Sequence, residues 1–427
     1  MEIKSLHELF LQCSSLSIDT RKIETGCIFF ALKGDNFDAN TFSSEALQKG
    51  AKYVVIDNAE YYINEATILV EDSLVALQEL AKYHRAYLNI PIVSLTGSNG
   101  KTTTKELINA VLSKKFKTKA TVGNLNNHIG VPLTLLSFTS ETEIGIVEMG
   151  ANHQKEIEFL CSIAQPDFGY ITNFGKAHLE GFGGVDGVIK GKSEMYVYLK
   201  NAGKTAFVNL DDPIQVEKST EIPRFTFGLN ATQANVCIDK VVANPFVVVT
   251  CGGVEIKSNL IGMYNSNNIN AALTIGAYFE VSLEDCRMAI EEYIPTNNRS
   301  QLMTKNGCQI ILDAYNANPS SMAAAIDNFL QLDLDNKYLI LGDMFELGPE
   351  SPEEHKKLVD KLRDQPNVYC CFVGKAFYQN SFESSNILFF EGFDTFSEYL
   401  KNNKPNSASY LIKGSRGMAL ERTLDLI

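Results

Sequence analysis

The sequence predicts an α/β protein of three domains, and three observations support this prediction. The chain has 427 residues, which exceeds the usual length of a single domain. Short apolar segments alternate with segments of helical periodicity in two separate parts of the chain, which is typical of parallel strands joined by crossover helices. Residues 96–104 form a glycine-bearing turn between a strand pattern and a helix pattern, and turns of this kind bind phosphate.

Residues 1–88 are predicted to form an α/β N-terminal domain. The apolar runs at 27–32 and 53–56 predict strands because they are short and bounded by polar residues. Residues 43–49 predict a helix, and residues 72–87 predict a second one because their apolar side chains recur at helical spacing. We expect this mixture of strands and helices to build a core of its own.

Residues 89–296 are predicted to form a central domain with a P-loop-type, mostly parallel sheet and flanking helices. The strand pattern at 90–95 runs directly into the glycine-bearing turn. The further elements predicted here are strands at 144–148 and 168–172 and helices at 105–112, 154–163, 185–199 and 267–279. A β-rich stretch at 236–260 interrupts this alternation.

Residues 297–427 are predicted to form a Rossmann-like C-terminal domain, which follows a linker at 295–298. The predicted elements are strands at 309–312, 338–341, 369–373 and 409–412 and helices at 321–330 and 352–362. Domains of this kind bind ligands at the carboxyl ends of their strands. Those ends carry Asp313, Asp343 and the run 413–416.

Composition excludes several classes of protein. The formal net charge of −13 argues against nucleic acid as the main partner. No apolar run is long enough to span a bilayer, so membrane insertion is not expected. The nine cysteines are odd in number and contain no C-x-x-C pair, which is typical of reduced thiols. The first residues lack a signal-peptide pattern, so we expect a cytoplasmic protein.

The turn TGSNGKTTT at 96–104 is predicted to bind the phosphates of a nucleotide. Its backbone N–H groups and the N-terminus of the following helix face the anion. The residues predicted to form this phosphate site are Gly97, Ser98, Asn99, Gly100, Lys101, Thr102 and Thr103. Lys101 can reach the outer phosphates, and the Thr102 hydroxyl can bind Mg²⁺. The general pattern has glycine where this chain has Leu95, so the loop is a shortened variant.

Three further residues carry chemistry, and each has an ordinary alternative. Glu148 ends an apolar strand, where it can hold Mg²⁺ or remain a solvated acid. His178 lies in a loop after a strand and can bind a second metal ion, although a lone histidine is more often structural. Lys192, considered alone, is typical of a solvated charge on a helix.

Long ordered motifs occur in all three segments of the chain. The central segment carries TGSNGKTTTK, EMGAN, ITNFGKAHLEGFGG and GKSE. The last segment carries DAYNANPSSM, LGDMFELG and KGSR, and the first carries Asp19-Thr20-Arg21 and FFALKG. Together these motifs resemble the Mur ligase family of ATP-dependent peptide ligases. The last segment is similar to the family member that joins D-alanyl-D-alanine to UDP-N-acetylmuramoyl-tripeptide. The resemblance therefore implies this activity, with ATP and Mg²⁺ as cofactors.

The resemblance also implies roles for the residues singled out above. The family phosphorylates the substrate carboxylate with ATP, and an amine then attacks the acyl phosphate. Lys101, His178 and Lys192 would be catalytic, and Thr102 and Glu148 would hold one Mg²⁺. His178 would hold a second Mg²⁺ together with Lys192, which is carbamylated in relatives. Lys190 is the competing position for the carbamate.

Further binding residues follow from the same resemblance. The additional positions expected to contact ATP are Asn265, Asn268, Arg299, Asn316 and Asp343. Those expected to contact substrate are Asp19, Thr20, Arg21, Lys33, Asn127 and Arg416. The chain departs from the family at Ala39-Asn40, where a Gly-His pair is usual, and at Tyr264, where a histidine is common. The first departure weakens the prediction that the first segment binds the sugar nucleotide. The second weakens the prediction that Asn265 and Asn268 contact the adenine.

Two alternatives remain open at the level of the sequence. The ligase that adds the third peptide residue, diaminopimelate or lysine, typically carries DYAHTP where this chain has residues 313–319, and the Asp-Asn-Pro-Arg run of its diaminopimelate form is absent here. A P-loop nucleotide switch shares the loop but needs a protein partner. The preferred hypothesis predicts small-molecule partners, UDP-N-acetylmuramoyl-tripeptide and D-Ala-D-Ala, and a monomer. The identity of the third residue is left open.

Overall fold

The computed structural model describes residues 2–296, 298–405 and 407–427. Asn297, the first residue of the predicted third domain, lies outside the described residues. Within the described chain the strands form three main sheets, of four, nine and six strands, and one two-stranded hairpin. The predicted α/β fold with a mostly parallel central sheet is confirmed. The boundaries after residues 88 and 296 stay predictions.

The N-terminal part has a four-stranded parallel sheet in the order β1-β2-β5-β6. Its helices are α1 (Ile3–Phe10), α2 (Ser43–Gln48) and α3 (Ser73–Leu88), and its strands are β1 (Leu16–Ser17), β2 (Ile28–Phe30), β3 (Lys33–Gly34), β4 (Phe37–Asp38), β5 (Tyr53–Ile56) and β6 (Thr67–Leu69). The Asp72 side chain caps α3 by accepting from two backbone N–H groups of the first turn. The helix ends at Asn89, which has a left-handed φ of 48°.

The central part has a nine-stranded sheet in the order β15-β14-β13-β12-β11-β10-β7-β9-β8. Its strands are β7 (Ile92–Thr96), β8 (Thr118–Ala120), β9 (Ile144–Glu148), β10 (Phe168–Ile171), β11 (Thr205–Asn209), β12 (Arg224–Leu229), β13 (Val236–Ala243), β14 (Phe246–Cys251) and β15 (Val254–Ile261). Its helices are α4 (Lys101–Leu112), α5 (Gly130–Leu136), α6 (Glu156–Ala164), α7 (Leu179–Phe182), α8 (Val185–Ala202), α9 (Pro213–Lys218), α10 (Ser266–Tyr278) and α11 (Leu283–Glu292). Pairing is parallel from β8 to β13 and antiparallel in the last two pairs, because short connections join β13, β14 and β15.

The C-terminal part has a six-stranded sheet in the order β16-β17-β21-β18-β19-β20. Its strands are β16 (Gln301–Lys305), β17 (Cys308–Asp313), β18 (Lys337–Gly342), β19 (Val368–Val373), β20 (Ile387–Phe390) and β21 (Ser409–Lys413). Its helices are α12 (Pro319–Gln331), α13 (Ser351–Arg363), α14 (Lys375–Tyr378) and α15 (Phe393–Asn402). Pairing is parallel except between β16 and β17, which form a hairpin.

Helix α6 begins two residues later than the sequence pattern predicts. Lys155 takes a left-handed φ of 72°, and α6 begins only at Glu156. The carboxylate of Glu194, on α8, accepts from the backbone N–H groups of Lys155 and Glu158. A side chain nearly forty residues away in the sequence therefore caps the helix start, and local periodicity carries no information about such a cap.

Strand register brings the chemical motifs of the central sheet to one edge. Leu95 of β7 lies opposite Glu148 of β9, and Thr96 lies opposite Ile171 of β10. The carboxyl ends of β9, β7 and β10 are therefore neighbours, as expected for ligand sites of parallel sheets. The phosphate-type turn follows β7 at the middle of this edge.

Candidate active site

The two glycines of the phosphate-type turn are required by its geometry. Gly97 and Gly100 have φ of 143° and 79°, which disfavour residues with a side chain. A Cβ at Gly97 would overlap the hydroxyl of Thr172, and one at Gly100 would lie 2.6 Å from Oδ1 of Asn268. The turn is thus packed tightly against residues that follow β10 and begin α10.

The backbone N–H and the backbone carbonyl of Asn99 are both hydrogen-bonded to the segment that follows β10. Its N–H donates to Oδ1 of Asn173 at 3.1 Å. Its carbonyl accepts from the Thr172 hydroxyl at 2.6 Å and from Nδ2 of Asn173 at 3.0 Å. The sequence interpretation did not select Thr172 or Asn173, although Thr172 ends a predicted strand and Asn173 directly follows it, which was a usable signal.

Lys101 begins α4 and points back along the turn. Its ammonium donates to the carbonyl of Gly97 at 2.7 Å. Desolvation lowers the pKa of Lys101, the charge of Glu148 opposes this shift, and the nearby Arg299 adds to it. The side chain thus lies between an acid of its own domain and a cation of the third domain, where an incoming phosphate group would complete the charge balance.

Glu148 and Thr102 bring oxygen donors together below the turn. The Thr102 hydroxyl donates to Oε2 of Glu148 at 2.9 Å, and Nδ2 of Asn126 donates to Oε1 at 2.8 Å. Glu148 is only 2% exposed. A buried carboxylate and a hydroxyl within hydrogen-bond distance form the kind of oxygen donor set that fits Mg²⁺.

His178 precedes α7 and lines the same cleft. Its Nδ1 is hydrogen-bonded to Oε2 of Glu346, which belongs to the third domain. The hydrogen bond from His178 is the largest influence on Glu346 and lowers the pKa of its carboxyl group. The sequence interpretation selected His178 and missed Glu346, because the two residues are 168 positions apart.

Lys192 lies on α8 and is 1% exposed, whereas Lys190 is exposed. The Lys192 ammonium donates to the carbonyl of Ala151 at 3.0 Å and lies 4.9 Å from the ring centroid of Phe182. Burial, reinforced by the charge of Lys101, holds the pKa of Lys192 well below its ordinary value. Carbamylation needs the neutral amine, so this environment favours Lys192 over Lys190, although the carbamate stays a prediction.

A cleft of about 610 Å³ separates the central and third parts of the molecule. The predicted site residues that line it are Ser98, Asn99, Gly100, Lys101, Thr102, Thr103, Asn127, Glu148, His178, Asn265, Asn268, Arg299 and Asn316. Residues that line it without having been selected as site residues include Asn124, Asn126, Asn173, Tyr264, Asp313, Tyr315, Asn318 and Lys413. Residues that are distant in sequence therefore meet around one cavity.

The remaining wall of the cleft contains stacked and hydrogen-bonded polar groups. The guanidinium of Arg299 lies 3.7 Å from the ring centroid of Tyr315. Asn268 accepts from the Thr104 hydroxyl at 2.9 Å and donates to Oδ1 of Asn265 at 2.8 Å. The hydroxyl of Tyr264 is 2.8 Å from that of Ser300. The two asparagines thus stabilise the wall of the cleft, and their contact with ATP stays a prediction.

Two residues expected to contact ligands are held elsewhere in the third domain. The carboxylate of Asp343 accepts from the backbone N–H groups of Ala376 and Phe377, both at 3.0 Å, and so caps α14. The guanidinium of Arg416 pairs with Glu421 at 2.7 Å and is largely exposed. Neither residue is among the described residues that line the cleft. This conformation therefore lends no support to their predicted roles.

The expected substrate residues of the N-terminal part form a separate polar surface. Asp19 pairs with Arg21 at 2.8 Å, with Thr20 between them. Lys33 pairs with Asp57 at 2.7 Å. Asn40, where the family usually has histidine, donates to Asp57 at 2.8 Å and so belongs to the same network. The structure brings Asn127, but not these residues, to the cleft.

Family models match all three parts of the chain. Residues 12–85 match the model described as Mur ligase family, catalytic domain. Residues 95–276 match the Mur ligase middle domain, and residues 298–416 match the Mur ligase, glutamate ligase domain. One relative is the UDP-N-acetylmuramoyl-tripeptide--D-alanyl-D-alanine ligase of Bacillus subtilis (strain 168). The two sequences are 35% identical over an alignment of 427 positions, which covers 96% of this chain and 93% of the relative. The chain belongs to the Mur ligase family.

Solved structures of MurF superpose on nearly the whole length of this chain. MurF from Acinetobacter baumannii superposes with a TM-score of 0.87 at 30% identity, covering 99% of this chain and 98% of that one. MurF from Thermotoga maritima, solved in complex with ADP, has a TM-score of 0.83 at 26% identity, covering 98% and 97%. The predicted family resemblance is confirmed. In the described residues of this Mur ligase, helices with the length and apolar character needed to cross a bilayer are absent.

Proposed function

We propose that this Mur ligase joins D-alanyl-D-alanine to UDP-N-acetylmuramoyl-tripeptide at the expense of ATP, giving the pentapeptide used in peptidoglycan synthesis. The observation that carries the proposal is the shared cleft, in which the phosphate-type turn faces residues 313–318 of the third domain. The Bacillus subtilis relative bears the name of this ligase. The ADP complex of the Thermotoga maritima neighbour supports ATP as the nucleotide.

The reaction has two steps, and the residues act by position and charge. A carboxylate oxygen of the tripeptide attacks the γ-phosphorus of ATP, the bond to ADP breaks, and an acyl phosphate forms. The amine of D-Ala-D-Ala then attacks the acyl carbon, loses a proton, and expels inorganic phosphate. Lys101 and the backbone N–H groups that begin α4 stabilise the transferring phosphate, and Arg299 adds positive charge from the third domain.

The Thr102 hydroxyl and the buried Glu148 carboxylate are oxygen ligands that fit Mg²⁺. Thr102 and Glu148 would hold one ion, and His178 with carbamylated Lys192 would hold a second. When bound, Mg²⁺ neutralises the charge of the phosphate oxygens. The burial of Lys192 and its low pKa favour a neutral amine able to take up CO₂.

The remaining assignments are part of the same proposal. The three units are residues 1–88, 89–296 and 297–427, each with one main sheet. The residues proposed to bind the UDP-linked substrate are Asp19, Thr20, Arg21, Lys33, Asn127 and Arg416. Asp343 is retained as an ATP contact that would need the third domain to move. The enzyme is proposed to act as a cytoplasmic monomer, a location that its nine free cysteines suit.

The test is phosphate release by the purified enzyme with each amine and acceptor in turn. Release should require ATP, UDP-N-acetylmuramoyl-tripeptide and D-Ala-D-Ala together. Free D-alanine in place of the dipeptide serves as the matched control. Release with diaminopimelate or lysine and a UDP-muramoyl dipeptide, but not with D-Ala-D-Ala, would instead identify the ligase of the third residue. ATP hydrolysis at the same rate with and without each acceptor would favour a nucleotide switch.

A further inference from the structure

Glu346 of the third domain reaches across the cleft to a residue of the central domain. It lies in the loop that follows β18, and its Oε2 is hydrogen-bonded to Nδ1 of His178. The Glu346 side chain is about half exposed, whereas that of His178 is 19% exposed. An isolated ion pair on a surface contributes little to stability. The effect of the Glu346–His178 pair therefore depends on the contacts that surround it.

Backbone contacts seat the two loops against each other. The N–H of Glu180 donates to the carbonyl of Glu346 at 3.2 Å. A Cβ at Gly348, which has a left-handed φ of 54°, would lie 3.1 Å from Cβ of Glu180. Glu346 and His178 themselves have φ of 62° and 53°, a conformation that non-glycine residues adopt only when the surrounding structure holds them. The contact is therefore built by the two loops and not by the side chains alone.

The hydrogen bond decides which nitrogen of His178 is free. A carboxylate accepts only, so Nδ1 carries the proton that it donates to Glu346. The lone pair of a neutral ring then lies on Nε2. Because the ring lines the ATP cleft, Nε2 is the nitrogen that remains to bind a metal ion there.

We propose that Glu346 is a positioning residue, which fixes the tautomer and orientation of His178 and does so only while the third domain is packed on the central domain. The inference rests on the proposed function, because it takes His178 as a ligand of Mg²⁺. Metal affinity at His178 and docking of the third domain are then coupled, and the coupling is reciprocal. Removing a residue that orients a metal-binding histidine typically weakens metal affinity by about 10- to 100-fold.

A titration with Mn²⁺, followed by electron paramagnetic resonance, measures this coupling. The enzyme is first saturated with a non-hydrolysable ATP analogue. Glu346→Ala should weaken the binding of the His178-dependent ion by about 10- to 100-fold, and Glu346→Gln, whose amide oxygen can still accept from Nδ1, should recover part of this affinity. His178→Asn identifies which ion depends on His178.

Glu354→Gln is the matched control. Glu354 pairs with Lys176 at 2.8 Å across the same domain interface, and this pair does not involve His178. The control should leave Mn²⁺ affinity within about twofold of wild type, because the Gln amide still fills the buried Glu354 position and the Lys176 side chain, 40% exposed, stays solvated. An equal loss in Glu354→Gln and Glu346→Ala would mean that domain packing alone matters, and this would overturn the proposal.

The tautomer gives a second readout that needs neither metal nor activity. The chain has six histidines, and ¹⁵N spectra of histidine-labelled protein, assigned with His178→Asn, report the protonated nitrogen. Wild type and Glu346→Gln should carry the proton on Nδ1, and Glu346→Ala should shift toward Nε2. An unchanged tautomer together with unchanged Mn²⁺ affinity in Glu346→Ala overturns the proposal.

The failure of the proposed function has a different signature. Phosphate release that does not depend on D-Ala-D-Ala in wild type would refute the ligase assignment while the Mn²⁺ and tautomer shifts of Glu346→Ala persist. Wild-type Mn²⁺ affinity in His178→Asn would remove the metal role of His178 and with it the coupling proposed for Glu346. Shifts in both measurements support the positioning role.

Discussion

The central domain meets its two neighbours through interfaces of different character. Toward the N-terminal part, α3 packs against α5 and α6, and its buried leucines Leu77 and Leu80 belong to one apolar cluster with Val131 and Leu135 of α5. Toward the third part, polar contacts surround a cleft, including the bond from Nδ2 of Asn318 to Oδ1 of Asn99 at 2.7 Å. Third-part side chains such as Phe329 and Leu347 also belong to that apolar cluster, so apolar burial contributes to both interfaces. The second interface differs because its cleft is bordered by groups that water can also satisfy.

This difference separates stability from catalysis. Apolar burial is lost entirely when an interface opens, so the interface through α3 is expected to stay closed. Hydrogen bonds exchange with water at small net cost, so an interface rich in them can open for substrates and close for chemistry. Substitutions at the first interface should change folding, and substitutions at the second should change turnover. The following predictions test this division, from the largest expected effect to the smallest.

Lys101→Ala should abolish turnover without loss of folding. Removing one group that stabilises transferring charge costs about 100- to 1,000-fold in kcat. Phosphate release in the presence of both substrates measures the loss, and circular dichroism checks the fold. Lys119→Ala, a change at an exposed lysine of β8, is the control and should stay close to wild type. More than a tenth of wild-type kcat in Lys101→Ala would contradict the phosphate role.

Leu80→Ala should destabilise the protein while leaving the kcat of the folded enzyme nearly unchanged. A fully buried leucine replaced by alanine lowers the free energy of unfolding by about 2–5 kcal/mol. Urea denaturation measures the change. Val75→Ala, at an exposed position of the same helix, should change the free energy by less than about 0.5 kcal/mol. A large fall in kcat for folded Leu80→Ala would mean that the two interfaces are not independent.

Lys192→Ala should lose activity, and acetate should restore part of it. A short carboxylate can occupy the space of the missing carbamate and supply oxygen ligands. We expect a loss of about 100-fold, the upper range for a disturbed metal site. Activity with and without acetate, and after CO₂ removal, is the measurement. Rescue in Lys190→Ala, with an active Lys192→Ala, would move the carbamate to Lys190, and full activity without CO₂ would remove it.

Asn318→Ser should lower kcat/KM for ATP by about fivefold, which corresponds to roughly 1 kcal/mol for one lost hydrogen bond. Serine still caps α12, whose first turn donates to the Asn318 side chain, so the variant removes only the contact with Asn99. The free energy of unfolding should stay close to that of wild type. Asn402→Ser, which changes an exposed amide of α15, controls for the loss of an asparagine. An unchanged kcat/KM in Asn318→Ser would show that the hydrogen bond between Asn318 and Asn99 does not contribute to catalysis.

The smallest effect concerns pH and the N-terminal interface. His84 donates from Nε2 to the carbonyl of Phe138 and accepts on Nδ1 from Nε2 of His7, both at 3.0 Å. Burial lowers the pKa of both histidines. As pH falls below about 6.5, the two histidines bind protons more readily in the unfolded chain than in the folded chain. The free energy of unfolding therefore decreases as pH falls through this range.

Urea denaturation between about pH 7.5 and pH 5.5 measures this loss. His84→Gln, which can keep the bond to Phe138, should reduce the slope of unfolding free energy against pH. The acidic residues titrate equally in both proteins at these pH values, so they cancel in the comparison. Identical slopes would mean that the pair does not titrate on unfolding.

The sequence alone located the central machinery because its signals are local. A strand, a turn with Gly97 and Gly100, and a helix beginning at Lys101 are contiguous, and each is required by backbone geometry. Glu148 was identifiable as the last residue of its strand. The alternation of strands and helices likewise determined the parallel sheets, because crossover connections impose them.

What only the tertiary structure decided is how the domains meet. Asn318 and Asn99 are 219 residues apart, and Glu346 and His178 are 168 apart, so no local pattern links them. Burial separates Lys192 from Lys190 because two residues on one helix point about 200° apart. Asp343, attractive as a strand-end acid, turns inward because the first N–H groups of α14 need an acceptor. The sequence determined which groups carry the chemistry, and long-range packing decided which of them face one another.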